Sequence, residues 1–130
     1  MSKPRVLIVE DNVDNFELVR FLLERAGYQV LSAGNGIEGL DAAKREQPDL
    51  ILMDLSMPEL DGWNATARLK ADEATRAIPV LALTAHTLPG DRKRAIDAGC
   101  DGYISKPINV ASFDKLVATL LRQAKAGLQS

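Results

Sequence analysis

The stretch DLILMDLSMPELDGW, residues 49–63, carries the pattern that decides the fold class of this chain. Its apolar run at residues 50–53 has the length of a buried strand, and the serine, proline and glycine that follow indicate a loop. Asp54 therefore stands where a strand passes into a loop. Because aspartate at such a junction often serves only as a turn or helix-capping residue, Asp54 alone does not establish a functional site.

The chain contains five runs of this kind, and longer segments with helical spacing separate them. The runs cover residues 5–9, 29–33, 50–53, 80–83 and 102–105. Such alternation predicts parallel β/α units, so we expect an α/β fold with an open parallel five-stranded sheet and helices on both faces. We expect the flavodoxin-like strand order 2-1-3-4-5, which the sequence alone does not establish. That order would make strands 1 and 3 neighbours and place ligands beyond their C-terminal ends.

Apolar side chains at i, i+3 and i+4 spacing mark the helices that we expect to cover the sheet. They are Phe16, Val19, Leu22, Leu23 and Ala26 in the first helix, and Phe113, Leu116, Val117, Leu120, Leu121 and Ala124 in the last. We expect Gly27 to end the first helix, Pro48 to end the second at about residue 47, and Asn109 to cap the last.

The fourth helix should be the least firmly held of the set. Its segment GDRKRAIDAG, residues 90–99, offers only Ala95, Ile96 and Ala98 to a core. A helix with so few apolar side chains is the one that a small change elsewhere in the molecule would displace most easily.

The composition describes one globular domain without a bias for polyanions. The 130 residues carry a formal net charge of −2, so we expect one domain at residues 1–125, a frayed tail at residues 126–130 and no direct nucleic acid partner. The N-terminal apolar run is too short for a signal peptide or a membrane helix, so we expect a cytoplasmic chain without membrane contact. Cys100 is the single cysteine and is expected to be a small buried hydrophobe.

Two further carboxylates follow the first strand, where the sequence reads VEDN. Glu10 and Asp11 would open the loop beside Asp54 if strands 1 and 3 are neighbours. Carboxylates held close together repel one another, so a divalent cation is their natural partner, and Mg²⁺ suits a site with a few carboxylate oxygens and several waters. Two alternatives stay open: both residues are solvated charges, or Asp11 caps the first helix.

The other two strand ends supply groups of a different kind. Thr84 ends strand 4 and Lys106 follows strand 5, so a hydroxyl donor and an ammonium would face the same crevice. Taken singly, Thr84 is an ordinary β-branched strand residue and Lys106 a solvated lysine. Together with a cation site and Asp54 as nucleophile, they are the groups that phosphoryl transfer requires.

The joint pattern VLIVEDN, LILMDLSMPELDGW, VLALTA and GYISKPI resembles the receiver domains of bacterial two-component response regulators, over nearly the whole chain. The resemblance implies a phosphoacceptor switch of a two-component system or phosphorelay, not an enzyme with separate substrates. Asp54 would accept a phosphoryl group from a sensor histidine kinase or a histidine phosphotransfer protein. The face formed by helix 4, strand 5 and helix 5 would then change its binding of a downstream protein target.

The same resemblance implies a set of metal ligands. Asp11 and Asp54 would ligate Mg²⁺ directly, the backbone carbonyl of Ser56 would complete the protein ligands, and Glu10 would act through water.

The resemblance also implies roles around the phosphoryl group. Lys106 would pair with one phosphoryl oxygen, Thr84 would move to hydrogen-bond another, and Tyr103 would turn inward as the switch aromatic. Tyr103 as a half-exposed packing residue stays an alternative. The Lys106–Pro107 bond is expected to be cis, and His86 lies where the family varies, so either an effect on phosphoryl lifetime or a plain surface role fits it.

The length of the chain is similar to that of stand-alone receivers of the cell-division, chemotaxis and sporulation phosphorelay types, and we expect a monomer or a weak dimer. Three other functions are alternatives. A Mg²⁺-dependent phosphohydrolase of the haloacid dehalogenase type would need a second aspartate at the position of Ser56, and a flavodoxin would need a phosphate-binding loop where EDNVDN stands. A phosphate-independent adaptor would have no use for the whole constellation.

Overall fold

The computed structural model describes residues 3–55, 62–84, 91–105 and 108–129, and for residues 91, 92 and 124–129 it describes the backbone alone. Strands and helices alternate along the chain, as the sequence predicts. The strands are β1 (Arg5–Val9), β2 (Gln29–Ala33), β3 (Leu50–Asp54), β4 (Val80–Thr84) and β5 (Gly102–Ser105). The helices are α1 (Val13–Arg25), α2 (Gly36–Glu46), α3 (Gly62–Ala71), α4 (Asp91–Ala98) and α5 (Val110–Gln129).

The sheet is parallel throughout, and its strand order β2-β1-β3-β4-β5 confirms the predicted fold class. Parallel strands in register bring their C-terminal ends to one edge of the sheet. β3 and β4 extend one residue beyond their apolar runs, to the expected ends at Asp54 and Thr84, because Asp54 still pairs with Leu83 and Thr84 with Ser105. Both polar residues are therefore held by the sheet and not by a loop.

Helices cover both faces of the sheet, as expected. α1 and α5 pack on one face through Val19, Leu22, Leu23, Phe113, Val117 and Leu120, while α2, α3 and α4 pack on the other through Ala42, Ala43, Ala65, Leu69 and Ala95. Strand side chains alternate between these two clusters, so that Leu7 and Val9 point to one and Val6 and Ile8 to the other. The three central strands β1, β3 and β4 are thus buried on both sides of the sheet.

Capping residues define both ends of α1 and the start of α5. Asn12 caps α1, since its side chain accepts from the Asn15 N–H at 2.9 Å, so Asp11 is not used as a cap. Gly27 follows the end of α1 with a φ of 95°, and Ala26, expected in the apolar stripe, is exposed beside it. Asn109 caps α5 by accepting from the Ser112 N–H at 3.0 Å.

Two helix boundaries differ from the expectation. α2 ends at Glu46, and Gln47 turns out of it in the left-handed region with a φ of 48°. Its side-chain amide nitrogen donates to the Ala74 carbonyl at 3.0 Å, which ties the strained residue to the neighbouring loop. α5 continues through the expected tail as far as Gln129.

α4 is thinly packed, as predicted, but with a narrower apolar stripe. Ala95 is fully buried and Ala98 half-buried, whereas Ile96 is 57% exposed and was wrongly expected in the core. Adjacent helical residues point about 100° apart, and the rotation of α4 turns Ala95 toward the sheet and Ile96 toward solvent. Cys100, just beyond α4, is buried as expected, and burial raises the pKa of its thiol.

A lysine anchors the chain where α4 leads into β5. The Lys70 ammonium donates to the Ile78 carbonyl at 2.8 Å and to an Asp101 carboxylate oxygen at 2.8 Å. That same carboxylate oxygen accepts from the Val80 N–H at 2.8 Å. The C-terminal end of α4 is thereby fixed to α3 and to the start of β4.

Asp101→Ala should lower the free energy of unfolding by about 1 kcal/mol, because it removes a partly exposed ion pair and the acceptor of the Val80 N–H. Asp101→Asn keeps an acceptor oxygen and should lose less. Urea denaturation of both variants measures the difference, and equal stability of Asp101→Ala and wild type would show that this anchor does not stabilise the fold.

The helices of the described residues include none with the length and apolar character of a membrane span.

Candidate functional site

Asp54 is nearly enclosed at the C-terminal end of β3, with 4% relative exposure. The next N–H, that of Leu55, donates to the Leu83 carbonyl at 3.0 Å and holds the strand end in place. Gly62, the first residue of α3, lies against the same backbone: an added Cβ there would be 2.3 Å from the Asp54 carbonyl oxygen. Only glycine therefore lets α3 begin so close to Asp54 without a shift of the backbone.

The three carboxylates that the sequence placed in one crevice do lie together. Glu10 follows β1, is 5% exposed, and donates its N–H to the Ala33 carbonyl at 3.0 Å. Its carboxylate accepts from the Asn12 N–H at 3.3 Å, and Asp11 beside it is exposed. One oxygen from each of Glu10, Asp11 and Asp54 lies within 4.8 Å of the others.

The acidic cluster fits a magnesium ion. Octahedral Mg²⁺ holds its ligands at about 2.0–2.1 Å, so oxygens on opposite sides are about 4.2 Å apart. The three carboxylate oxygens lie within 4.8 Å of one another, a separation comparable with that span. Exposed Asp11 leaves one side open to the waters that Mg²⁺ retains.

A cleft of about 310 Å³ gives solvent access to this cluster. It is lined by Glu10, Asp11, Asn12, Val13, Phe16, Ser32, Ala33, Gly34 and Glu38. The cleft lies between the start of α1 and the loop after β2, so an ion would reach the carboxylates from the β2 side of the site.

Thr84 and Tyr103 lie on the sheet face that α3 and α4 cover. Thr84 ends β4 with 0% exposure, and side-chain alternation puts it on the same face as Ala82. Tyr103 pairs with Ala82 across the sheet and packs, half-buried, against that cluster. A movement of Thr84 would therefore be transmitted to the side on which Tyr103 and α4 lie.

Arg94 stacks on Trp63, a contact that no sequence pattern indicates. The guanidinium carbon lies 4.3 Å from the centroid of the ring, and it joins α4 to the first turn of α3. The two residues are far apart in sequence, and either one alone reads as an ordinary surface residue. Only the topology that sets α3 beside α4 brings them together.

Several predicted residues lie outside the part of the chain that the structure describes. They are Ser56, His86, Lys106 and Pro107. The carbonyl ligand of Ser56, the phosphoryl contact of Lys106, the cis Lys106–Pro107 bond and the role of His86 therefore stay predictions.

Comparison with known proteins agrees with this geometry. A model of the response regulator receiver domain matches residues 6–119. The polar-differentiation response regulator DivK of Brucella anthropi is 46% identical over 119 residues, which cover 92% of this chain and 97% of DivK.

Two solved structures share the fold. The receiver domain of sensor histidine kinase PA1611 from Pseudomonas aeruginosa PAO1, crystallised with a magnesium ion coordinated in its active site cleft, is 36% identical with a TM-score of 0.85, over 92% of this chain and 98% of that one. The chemotaxis protein CheY4 of Vibrio cholerae is 28% identical with a TM-score of 0.85, over 92% and 99% of the two chains. Since family model, sequence relative and fold agree, the chain belongs to the response regulator receiver domain family, the phosphoacceptor switches of two-component signalling.

Proposed function

We propose that Asp54 accepts a phosphoryl group from a phosphohistidine donor and that the acyl phosphate changes the binding of a protein target. The observation that carries this proposal is the meeting of buried Asp54 with Glu10 and Asp11 at the C-terminal edge of the sheet. A buried nucleophile beside a cation site, open to solvent on one side, is what transfer from a partner requires.

The transfer needs little covalent chemistry from the protein. One oxygen of Asp54 attacks phosphorus, the bond from phosphorus to the donor imidazole nitrogen breaks, and the electron pair returns to that nitrogen. The sheet holds Asp54 in line, because its backbone pairs with Leu83 on one side and meets Gly62 on the other. Mg²⁺ held by Asp11, Asp54 and the Ser56 carbonyl, with Glu10 through water, would neutralise charge on the phosphoryl oxygens.

Lys106 and Thr84 complete the proposed site. The ammonium of Lys106 would pair with a phosphoryl oxygen, and the hydroxyl of Thr84 would bond to another after moving toward it. Thr84 is fully buried, so its movement must displace neighbours on the face that carries Tyr103. The phosphoryl group would in this way change the side-chain packing beside α4 and β5.

The partners proposed for this chain are proteins: a sensor histidine kinase or histidine phosphotransfer protein as donor, and a downstream target on the face of α4, β5 and α5. We propose a cytoplasmic location and a monomer or weak dimer. The chain would catalyse only its own phosphorylation and dephosphorylation.

Incubation with acetyl phosphate tests the proposal. With Mg²⁺, intact mass should rise by one phosphoryl group, and with EDTA it should not. A phosphohydrolase would instead turn over p-nitrophenyl phosphate repeatedly, and a phosphate-independent adaptor would gain no mass under either condition. Transfer from a panel of purified, phosphorylated histidine kinases would then identify the donor.

Phosphorylation should change amide hydrogen exchange most in α4 and β5. α4 places little apolar surface in the core, so it is the element that a shift of Thr84 and Tyr103 displaces at least cost. Exchange mass spectrometry with and without acetyl phosphate measures the effect, with α1 as the internal reference. A largest change in α2 would contradict the proposed output face.

A further inference from the structure

The contact between Arg94 and Trp63 links α4 to the phosphoacceptor segment by a route separate from Thr84 and Tyr103. The guanidinium carbon of Arg94 lies 4.3 Å from the ring centroid, within the range of a cation–π pair. Trp63 is half-buried and packs against the core cluster beneath α3 and α4, while Arg94 is exposed. The indole thus has one side in the core and the other under the cation.

The contact adds to the small apolar burial of the described part of α4. Among the described side chains of α4, Ala95 is the one that is fully buried, and the larger Ile96 is 57% exposed. An alanine buries little area, so it contributes little apolar stabilisation. The stacked Arg94 side chain adds both a cation–π interaction and the contact of its aliphatic stem.

Trp63, the α3 partner in the contact, is next to the backbone of Asp54 through the preceding residue. Trp63 follows Gly62, whose position against the Asp54 carbonyl oxygen leaves no room for a Cβ. A change in the backbone at Asp54 would therefore act first on Gly62, and through it on the indole of the next residue. In space, the route from the Asp54 carbonyl to the ring passes only through Gly62 and Trp63.

The C-terminal end of α4 is held by several hydrogen bonds, so a displacement of α4 would be larger toward its start. The Gly99 N–H donates to the Ile96 carbonyl at 2.9 Å, the Cys100 N–H donates to the Ala95 carbonyl at 3.0 Å, and Asp101 is held by Lys70. Arg94 precedes these bonds. When α4 tilts about its fixed end, the separation of Arg94 from Trp63 changes.

We propose that the Arg94–Trp63 pair is a positioning contact that couples α4 to the backbone carrying Asp54, and that it sets how far phosphorylation displaces α4. The inference rests on the proposed function, because it takes Asp54 as the phosphoacceptor. It adds a second route from Asp54 to α4, on the α3 side of that helix, beside the route through Thr84 and Tyr103.

The chain provides its own reporter, since Trp63 is its single tryptophan. Arg94→Gln removes the stacked cation, and Lys93→Gln removes the same charge from the neighbouring exposed position on α4. Trp63 emission is recorded for each protein before and after acetyl phosphate with Mg²⁺, and intact mass gives the phosphorylated fraction of the same samples. Amide exchange in α4 is measured without phosphodonor.

In wild type and in Lys93→Gln, emission should change on phosphorylation, and in Arg94→Gln that change should fall by at least half. Exchange in α4 should be about two- to fivefold faster in Arg94→Gln than in Lys93→Gln, the range that a surface cation–π contact corresponds to. In a Trp63→Leu background, Arg94→Gln should add no further acceleration, because the ring is already gone.

Equal emission changes and equal exchange in Arg94→Gln and Lys93→Gln would overturn the coupling, as would a wild type that gains one phosphoryl group without a change in emission. A wild type that gains no phosphoryl group would instead overturn the proposed function, and the coupling with it. Intact mass therefore separates failure of the inference alone from failure of its basis.

Discussion

Asp54→Asn should abolish the gain of one phosphoryl group that intact mass detects after acetyl phosphate and Mg²⁺. Asparagine has nearly the same shape, so the strand end and its pairing with Leu83 should persist. Its amide, however, lacks the carboxylate oxygen that attacks phosphorus. The expected effect is complete loss, because no second acid in the cluster combines burial, a place at a strand end and contact with the start of α3.

Asp41→Asn is the matched control for this loss. Asp41 is an exposed carboxylate on α2, and its replacement removes the same charge at a distance from the cluster. That variant should gain the phosphoryl group as wild type does. Phosphoryl uptake that persists in Asp54→Asn would show that another side chain is the acceptor.

Mg²⁺ should raise the free energy of unfolding of wild type by about 1–3 kcal/mol when it is well above its dissociation constant. Folding brings Glu10, Asp11 and Asp54 together, whereas in the unfolded chain they lie far apart. Their mutual repulsion opposes folding until a cation binds. Mg²⁺ binds the assembled cluster and hardly binds the unfolded chain, so its binding free energy adds to stability.

Asp11→Asn separates the two effects of the cluster. It removes one charge at similar volume, so we expect it to melt higher than wild type in EDTA and to lose most of the Mg²⁺-dependent increment. Asp11 is exposed and does not cap α1, so the change should leave the helix end intact. Melting curves of wild type, Asp11→Asn and Asp41→Asn in EDTA and in excess Mg²⁺ measure both quantities. Full retention of the Mg²⁺ shift in Asp11→Asn would place the metal elsewhere.

The sheet could be predicted from the sequence because its strands are apolar runs separated by clear helix and turn signals. Burial on both faces leaves strands such as β3 nearly free of polar residues, and that pattern is visible without a partner. The apolar runs stop one residue short of Asp54 and Thr84, and it is pairing with the neighbouring strands that includes these two residues in the sheet. The exposure of Ile96 was missed because a stripe of three small or branched residues does not fix the rotation of a helix.

The acidic part of the site could be predicted because parallel topology brings strand ends to one edge. Once β1 and β3 are neighbours, Glu10, Asp11 and Asp54 meet without further information. The contacts around α4 could not be predicted in this way. Arg94 on Trp63 and the Lys70 anchor join residues of different elements, and their pairing depends on the rotation and separation of packed helices.

Reductive trapping of the phosphorylated protein is the measurement that tests the role of Asp54 most directly. Borohydride reduces an acyl phosphate to an alcohol, so an aspartyl phosphate becomes homoserine at the position that carried it, and peptide sequencing by mass spectrometry locates that residue. After acetyl phosphate or a phosphorylated histidine kinase with Mg²⁺, homoserine should be found at Asp54 alone. Homoserine at Asp11, a reduced glutamyl product at Glu10, or a phosphorylated protein without any reducible acyl phosphate would contradict the assignment.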